Sequence, residues 1–519
     1  MSQALIAALQ NPALYPHPVD AFQVIETHIS WVLLTGPYAY KIKKPVNFGF
    51  LDFTRTDDRR HFCQEELRLN QRLTQDLYLE VVTITGSEQA PQFGGEGQAL
   101  DYALKMRQFP QHDLLADVQA RGELTAAHID DLAQQLAAFH LAAPRVPQDN
   151  PLGSAEAVMA PVRQNFEQIR PLLQDKEALQ QLDALEAWAE SSYERLKPLL
   201  EQRKRDGFIR ECHGDVHLGN ATLIDGRVVL FDCIEFNEPF RLTDPTADSA
   251  FLVMDLEDRG LKSLARRFMS TWLELTGDYA ALELMNFYKA YRALVRAKVA
   301  LFSLDGTQDA VKRAVILRQY RRYADLAERC SAIPLRFLAI THGVSSVGKS
   351  HVAMRLVEAL GAVRLRSDLV RKGLFGEQQG ASNTLDSGIY SSDASSATYQ
   401  RLHELAELAL HSGFGVVVDA TYLKQAQREA ASRVAEQNGV PFLIIDCHAP
   451  DAVIASWLAQ RQAEGRDPSD ATLEVIAAQQ RSREPLSQAE QIHCKRVETH
   501  DSASMDSLIE RIRQRLPGL

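Results

Sequence analysis

The stretch His213-Gly214-Asp215-Val216-His217-Leu218-Gly219-Asn220 decides the fold of the first half of this chain. Two short apolar runs, 221–224 and 227–231, follow it around an Asp-Gly pair, a pattern typical of a two-residue β-hairpin. The second run ends at Asp232, so the hairpin is expected to return this carboxylate to the side of Asn220. An acid, an amide and a second acid are therefore predicted to lie together.

The spacing of these residues favours phosphoryl transfer. That reaction needs an aligned hydroxyl, metal ions that bridge the phosphates and a cation that holds the nucleotide. Asp215 precedes Asn220 by five positions, the spacing of a kinase catalytic loop, in which the aspartate accepts the hydroxyl proton and the asparagine holds a metal ion. Asp232 is placed to supply a second metal ligand. The alternative, a helix-capping aspartate beside a core histidine, requires the spacing, the hairpin and Asp232 to coincide by accident.

A lysine for the nucleotide phosphates is expected upstream of this stretch. The run Tyr38–Lys41 has the alternation of a small residue and a lysine that marks the nucleotide-binding strand of kinases, which predicts that Lys41 is the phosphate-binding cation. Lys43 lies on the same face and is the reserve candidate, and a solvated strand lysine is the alternative for Lys41. On the helix that follows, Glu66 is predicted to orient the lysine, with Glu65 as the alternative.

The pattern of the first 330 residues changes from strands to helices. Strand-like alternation dominates from about residue 22 to 110, and helical periodicity dominates from about 122 to 330. Met106–Phe109, at the end of a strand, is predicted to contact adenine between the two lobes through Met106. A small β-rich lobe followed by a helical lobe is the layout of a protein-kinase-like fold.

Residues 20–330 resemble the aminoglycoside phosphotransferase and choline kinase superfamily, through the HGDxxxxN motif and the aspartate downstream of it. The resemblance implies that Asp215 is the general base, that Asn220 and Asp232 bind Mg²⁺, and that ATP is the phosphoryl donor. Cys233-Ile234 replaces the Phe-Gly of a protein kinase, which speaks against activation-loop switching. Lys41 is preceded by no glycine-rich nucleotide loop.

One predicted helix carries three basic residues, Arg292, Arg296 and Lys298. They are interpreted as a solvated basic face, and the alternative is that they face an anionic substrate.

The second half of the chain contains a complete phosphate-binding loop, Gly343-Val344-Ser345-Ser346-Val347-Gly348-Lys349-Ser350. An apolar strand precedes it and a helical segment, 352–360, follows it, which is the context this motif requires. Gly343 and Gly348 shape the loop, Lys349 is predicted to bind the β- and γ-phosphates, and Ser350 is predicted to bind Mg²⁺.

Five further residues are candidates for this second site. Asp368 and Arg371 follow the next predicted strand, where a base and a cation can reach the acceptor hydroxyl. Asp419 ends an apolar strand and suits a water-mediated metal contact. Arg461 and Arg466 lie where a lid would bring cations to the transferring phosphoryl group, with ordinary helix-surface charges as the alternative.

Residues 337–519 resemble the small P-loop kinases, a group that includes zeta toxins, chloramphenicol phosphotransferase, gluconate kinase and the 5′-kinase domain of polynucleotide kinases. Their SDxxR element matches Ser367, Asp368 and Arg371. The resemblance implies that Asp368 is the general base and that Arg371 binds the acceptor. A helix N-cap is the alternative for Asp368.

Composition limits the cellular setting and the partners. The chain has 519 residues, 45% of them hydrophobic and 24% charged, with a net charge of -11, which suits small molecules better than a broad nucleic-acid surface. The six cysteines are scattered, and neither a signal peptide nor a membrane-spanning stretch is evident, so a cytoplasmic protein without a membrane partner is expected.

The sequence therefore predicts two domains with different architectures. Residues 1–330 are expected to form an α+β, protein-kinase-like bilobal fold of the aminoglycoside phosphotransferase type, with a small lobe at about 20–110 and a helical lobe at about 111–330. A linker at 331–336 leads to an α/β P-loop kinase with a parallel sheet at 337–519. The predicted function is a bifunctional ATP- and Mg²⁺-dependent phosphotransferase for hydroxyl groups of small molecules. The alternatives are one active kinase with a nucleotide-sensing P-loop module, or a nucleic-acid end kinase or toxin-like kinase in the C-terminal half.

Overall fold

In a computed structural model the described residues are 3–49, 51–304, 307, 309–332, 335–376, 391–464 and 472–516, and side chains are described for these except at 392 and 461–464. The strands of these residues are β1 (Gln23–Glu26), β2 (Ser30–Leu34), β3 (Tyr38–Lys43), β4 (Tyr78–Ser87), β5 (Ala90–Phe93), β6 (Asp101–Arg107), β7 (Arg210–Glu211), β8 (Ala221–Ile224), β9 (Arg227–Leu230), β10 (Leu242–Thr243), β11 (Leu338–His342), β12 (Ala362–Arg366), β13 (Gly415–Asp419), β14 (Phe442–His448) and β15 (Cys494–Glu498).

The helices are α1 (Gln3–Ala8), α2 (Thr56–Gln71), α3 (Leu115–Ala120), α4 (Ala126–Ala142), α5 (Ala155–Ile169), α6 (Lys176–Arg205), α7 (Glu238–Arg241), α8 (Pro245–Asp258), α9 (Lys262–Thr276), α10 (Leu282–Phe302), α11 (Ala310–Ser331), α12 (Lys349–Leu360), α13 (Ser367–Phe375), α14 (Ser392–His411), α15 (Gln425–Gln437), α16 (Asp451–Glu464), α17 (Leu473–Ser482), α18 (Gln488–Gln491) and α19 (Ser502–Arg515). None of the helices in the described part of the chain combines the length and the apolar character needed to cross a bilayer.

The chain divides into two compact units by its internal contacts. The first unit contains residues 1–255 and 291–324, and the second contains residues 256–290 and 325–519. The predicted order of an α+β, kinase-like fold followed by an α/β fold is confirmed. Helix α9 lies in the second unit although it precedes the strands of that unit in the chain. The proposed linker at 331–336 stays a prediction.

The first unit begins with a six-stranded sheet in the order β1-β2-β3-β6-β4-β5. Its neighbouring strands pair antiparallel, and β3 pairs with β6 so that Ala39 lies opposite Met106. Alternating apolar residues bury one face of this sheet, where Trp31, Tyr40 and Ile42 belong to one apolar cluster. Helix α2 packs on β4 and β6, and this packing brings α2 close to the lysines of β3.

The hairpin predicted after the catalytic-loop stretch is present. Strands β8 and β9 pair antiparallel from Ala221 opposite Leu230 to Ile224 opposite Arg227. Asp225 and Gly226 both have positive φ, 52° and 76°, as the tight turn of a two-residue hairpin requires.

The second unit is built on a five-stranded parallel sheet in the order β12-β13-β11-β14-β15. Every residue of β11 and β13 is buried, because helices cover both faces of such a sheet. Parallel strands end at the same edge, so the loops after β11, β12 and β13 meet there. The phosphate-binding loop, the first turn of α13 and Asp419 are thereby placed next to each other.

Candidate functional site

In the first unit, the buried ring of His213 ties the catalytic loop to the hairpin. Its Nε2 lies 2.9 Å from the carbonyl oxygen of Phe231, and its Nδ1 lies 3.2 Å from the backbone nitrogen of Asp215. This pairing assigns the donor role to Nε2–H and the acceptor role to Nδ1. Burial lowers the pKa of His213, so the ring is neutral near pH 7. His213 therefore fixes the loop in place and holds no charge there.

The carboxylate of Asp215 is held by Asn220 and His217. Asn220 Nδ2 donates to Asp215 Oδ2 at 3.0 Å, and His217 Nε2 lies 3.4 Å from the same oxygen. Burial opposes ionisation of Asp215, but the neighbouring His217 outweighs it, and the pKa of Asp215 is well below its usual value. An ionised carboxylate of this kind can accept a proton from a hydroxyl.

Two buried carboxylates behind the loop hold its backbone. Asp248 accepts hydrogen bonds from the backbone N–H groups of His213 and Gly214 at 2.8 and 2.9 Å. Asp255 accepts one from the N–H of Leu218 at 3.0 Å. The loop that carries Asp215 is therefore anchored on both sides by helix α8.

Lys41 bridges two acids at the mouth of the site. Its Nζ lies 2.7 Å from Glu66 Oε1 and 2.7 Å from Asp232 Oδ1. Asp232 has a positive φ of 66°, and its N–H donates to the hydroxyl of Tyr78 at 3.1 Å. The structure thus brings together Lys41, Glu66 and Asp232, as the sequence predicts.

A second lysine, Lys43, lies behind Lys41 and is almost completely buried. Lys43 Nζ lies 2.6 Å from Glu66 Oε2 and also pairs with Glu235. Glu65 instead pairs with Arg68, whose side chain is 47% exposed. The pairing with Glu235 was missed by the sequence reasoning, and its only signal is an acidic residue three positions after Asp232.

Met106 is half-buried in the sheet, next to the apolar cluster of Leu77, Tyr78 and Leu104. Two residues further on, Gln108 Oε1 accepts the N–H groups of Thr35 and Gly36 at 2.9 and 3.0 Å. The strand end predicted to contact adenine is therefore tied to the turn between β2 and β3.

The basic residues of α10 do not form a solvated face. Arg292 is only 4% exposed, and its guanidinium carbon lies 4.9 Å from the ring centroid of Phe251 and 5.3 Å from that of Tyr291. Arg296 is half-buried over Tyr323 at 5.9 Å, and Lys298 is half-buried as well. The interpretation as a solvated face is wrong for Arg292, because its guanidinium is buried against Phe251 of α8 and Tyr291.

In the second unit, the phosphate-binding loop turns sharply between β11 and α12. Gly343 and Gly348 have φ of 142° and 90°, and Ser346 has φ of 62°. A Cβ on Gly348 would lie 2.9 Å from the Cβ of Thr499, so a side chain there would clash. The ammonium of Lys349 contacts the carbonyl oxygen of Val344 at 2.6 Å.

This loop borders a cavity of about 430 Å³ that two further candidate residues of the second unit also line. Lys349 and Ser350 of the loop line it together with Asp368 and Asp419. Trp457, Thr499 and His500 contribute further lining.

The two aspartates of the cavity have different surroundings. Asp419 Oδ2 is buried without a hydrogen-bond partner among the described residues, although Arg366 Nε lies 3.9 Å from it. Burial raises the pKa of Asp368, Asp419 adds to the increase, and Arg371, 3.7 Å away, opposes it. Helix α13 begins at Ser367, so Asp368 lies inside its first turn and does not cap it. The buried Oδ2 of Asp419, in the cavity that Ser350 also lines, is a suitable acceptor for the water ligands of a divalent cation.

Gln479 of α17 contacts the phosphate-binding loop and was missed by the sequence reasoning. Its Oε1 accepts the N–H of Ser345 at 2.7 Å, and its Nε2 donates to Ser345 Oγ at 3.1 Å. No motif signals this contact, since it joins residues 134 positions apart. The predicted lid residues Arg461 and Arg466 cannot be placed, because Arg466 and the side chain of Arg461 lie outside the described residues.

Comparisons with known proteins match each half of the chain to a family model and most of the chain to mycobacterial relatives. Residues 49–285 match the model described as "Phosphotransferase enzyme family", and residues 338–486 match the model described as "AAA domain". Over 472 residues the chain is 32% identical to an uncharacterized protein of Mycobacterium tuberculosis, with 89% of this chain and 91% of the relative covered, and a protein of Mycobacterium bovis gives the same values.

Two solved structures resemble one half each. A choline/ethanolamine kinase family protein from Mesorhizobium loti has a TM-score of 0.40 and 13% identity, covering 63% of this chain and 97% of that one. A gluconokinase from Sinorhizobium meliloti has a TM-score of 0.27 and 18% identity, covering 36% of this chain and 96% of that one.

Proposed function

We propose that this chain, which belongs to the family of its mycobacterial relatives and joins a phosphotransferase-family domain to an AAA-type P-loop domain, is a bifunctional ATP-dependent phosphotransferase. Each unit acts on a hydroxyl group of a small molecule and has its own site for ATP and Mg²⁺. The observation that supports the proposal is that each unit separately brings together a lysine, side chains whose oxygens can bind a metal ion, and a candidate base. Neither set needs a residue of the other.

In the first unit, Asp215 is proposed to accept the proton of the acceptor hydroxyl. Asn220 and Asp232 would hold Mg²⁺, which neutralises charge on the phosphates when it is bound. Lys41 would contact the phosphates, and its pairing with Glu66 keeps the ammonium near Asp232. A buried network of this kind positions the cation before a nucleotide binds.

In the second unit, the backbone N–H groups between Gly343 and Ser350 would surround the phosphates, at the N-terminus of α12. Lys349 would bind the phosphates, Ser350 would bind Mg²⁺, and Asp419 would act on the ion through water. Asp419 Oδ2 supports this role, because it is buried without a hydrogen-bond donor among the described residues, and such an oxygen is costly unless a ligand satisfies it.

The roles of Asp368 and Arg371 concern the acceptor. The raised pKa of Asp368 makes it a better proton acceptor than an ordinary surface carboxylate, because a stronger base gains more from protonation. Arg371 lies one helical turn away and would bind the acceptor beside this base. Arg461 and Arg466 remain candidates for contacts to the phosphoryl group.

Nucleotide titration of the full chain tests the two-site proposal. Calorimetry with Mg²⁺ and a non-hydrolysable ATP analogue is expected to resolve two binding events in the wild type. Asp232→Asn should remove one event and Lys349→Ala the other. Lys44→Ala is the matched control, since Lys44 pairs with Glu26 outside both sites and should leave two events. Loss of both events in either site variant, with the fold intact by circular dichroism, would contradict independent sites.

Acceptor screening then tests the chemistry. The full chain is incubated with Mg·ATP and a panel of sugars, nucleosides, amino alcohols, hydroxy acids and oligonucleotides, and phosphorylated products are identified by mass spectrometry. Asp215→Asn should abolish the products of the first unit, because loss of a general base costs roughly 10²–10⁴-fold in rate. Products that depend on neither Asp215 nor Asp368 would overturn the assignment of the bases.

A further inference from the structure

The most unusual buried charge in the first unit is Arg292. Its side chain is nine-tenths or more buried, and its Nε has no hydrogen-bond partner among the described residues. Among the described residues, Arg292 forms neither an ion pair nor a hydrogen bond. Its guanidinium instead makes cation–π contacts with the rings of Phe251 and Tyr291. A buried cation without a counter-ion is expensive to maintain.

Arg292 lies close to the catalytic loop through a chain of ring contacts. Phe251 has Arg292 at 4.9 Å from its ring centroid and the ring of His217 at 5.6 Å. His217 in turn lies 3.4 Å from the carboxylate of Asp215. One aromatic ring therefore separates the guanidinium from the histidine that contacts the candidate base.

The nearby carboxylates are already engaged. Asp215 accepts from Asn220, and Asp248 accepts two backbone N–H groups of the loop. Neither carboxylate forms an ion pair with Arg292 among the described residues.

A second cation lies one helical turn further along α10. Arg296 stands four positions after Arg292 and is half-buried beside Tyr323. A separation of four positions places Arg296 on the same face of α10 as Arg292. One face of α10 therefore carries two guanidinium groups, and that of Arg292 packs on the ring that also contacts His217.

We infer that the acceptor of the first unit carries an anionic group, a carboxylate or a phosphate, which binds at Arg292 and Arg296 while its hydroxyl lies at Asp215. This inference rests on the proposed phosphotransferase function. Guanidinium groups bind carboxylates and phosphates through paired N–H donors, and the unpaired Nε of Arg292 supplies such a donor. In the reaction, the hydroxyl oxygen forms a bond to the γ-phosphorus of ATP, the bond from that phosphorus to ADP breaks, and the hydroxyl proton passes to Asp215.

Acceptors that differ only in charge test the inference. Each of two matched series contains a neutral, a carboxylate, a phosphate and a cationic compound. The first series is glycerol, glycerate, glycerol 3-phosphate and ethanolamine. The second series is glucose, gluconate, glucose 6-phosphate and glucosamine. Binding to the full chain is measured with Mg²⁺ and a non-hydrolysable ATP analogue, and phosphoryl transfer is measured with ATP. A Lys349→Ala background removes the contribution of the second unit. The carboxylate and phosphate members distinguish the two anionic chemistries.

At least one anionic compound is expected to bind tenfold or more tightly than its neutral counterpart. Arg292→Met, which keeps the apolar contact with Phe251, should weaken anion binding by roughly 10–100-fold and change the binding of neutral compounds by less than about threefold. Arg292→Lys should retain part of the preference because it keeps the charge. Arg195→Met is the control for loss of one positive charge, since Arg195 is exposed on α6.

A preference for the neutral or cationic member in both series overturns the inference, and so does an anion preference that Arg292→Met leaves unchanged. Failure of the proposed function has a different signature. If anions bind with dependence on Arg292 but phosphoryl transfer proceeds equally well in Asp215→Asn, the anion site stands and the role of Asp215 as the base fails.

Discussion

Replacing Glu66 with glutamine is expected to destabilise the region around β3 and α2 by about 3 kcal/mol near neutral pH. Glu66 Oε1 and Oε2 contact the ammonium groups of Lys41 and Lys43 at 2.7 and 2.6 Å, and only 1% of the side chain is exposed. Burial opposes the charged form, but these two cations outweigh it and lower the pKa of Glu66 from 4.5 to about 2. A change of this size corresponds to about 3 kcal/mol of differential stability.

The pH dependence of this effect has a definite sign. A carboxyl whose pKa is lower in the folded state stabilises that state above the unfolded pKa, and the contribution is lost as the pH falls through the folded pKa. The stability difference between the wild type and Glu66→Gln should therefore be complete above about pH 4.5 and should fade as the pH falls towards 2.

Amide hydrogen exchange of the β3 peptide measures this loss locally, which is necessary because a chain of two units has no single free energy of unfolding. Glu66→Gln is expected to accelerate the slowest β3 amides about a hundredfold at pH 7. Glu65→Gln is the matched control on the same helix, and its surface pair with Arg68 should contribute less than about 1 kcal/mol. Equal acceleration in the two variants would refute the reasoning about the buried network.

Three further predictions concern the second unit. Gly348→Ala should abolish nucleotide binding at the phosphate-binding loop, because φ is 90° and the added Cβ clashes with Thr499, the residue after β15. Calorimetry that still shows two nucleotide sites would contradict this. Gln479→Leu should weaken nucleotide binding at the phosphate-binding loop by about tenfold, because Ser345 loses two hydrogen bonds. Tighter binding in calorimetry would contradict this and would show that Gln479 competes with phosphate. Glu274→Gln should destabilise α9 and β12 by about 3–5 kcal/mol, because it removes the counter-ion of the buried Arg364. Hydrogen exchange measures this loss, and an effect no larger than that of a surface ion pair would contradict the expectation.

The local structure around 213–232 and 343–350 could be predicted because the motifs there place defined residue types at fixed spacings. Asp215 and Asn220 must be five positions apart, and the Asp-Gly turn dictates where Asp232 returns. The same holds for Lys349 and Ser350, which a strand and a helix N-terminus must flank. These signals are local in sequence, so no knowledge of tertiary contacts was needed.

The choice between neighbouring charges required the structure. Strand alternation places Lys41 and Lys43 on one face and cannot separate them, whereas their partners do: Lys41 reaches Asp232, and Lys43 reaches Glu235. Arg292 shows the same limit for a helix, since periodicity identifies a basic face but does not say which neighbour covers it. Burial and pairing depend on contacts between distant segments, which a single sequence does not reveal.

Helix α9 shows how residues matched to one family model help to build the other unit. It lies within the phosphotransferase-family match at 49–285, yet by its contacts it belongs to the second unit. Arg364 of β12 explains this, because its guanidinium contacts the carboxylate of Glu274 of α9 at 2.6 and 2.8 Å. Its backbone N–H also donates to Ser270 Oγ of α9 at 3.2 Å. Arg364 Nη1 in turn donates to the carbonyl oxygen of Ser350 at 3.2 Å. A carboxylate on α9 is thus linked through one buried arginine to the residue proposed to bind Mg²⁺ in the second unit. A fragment that began at residue 337 would lack Glu274 and would leave the buried charge of Arg364 without its counter-ion. The phosphate-binding loop therefore depends on α9, a helix that lies well before the loop in the sequence.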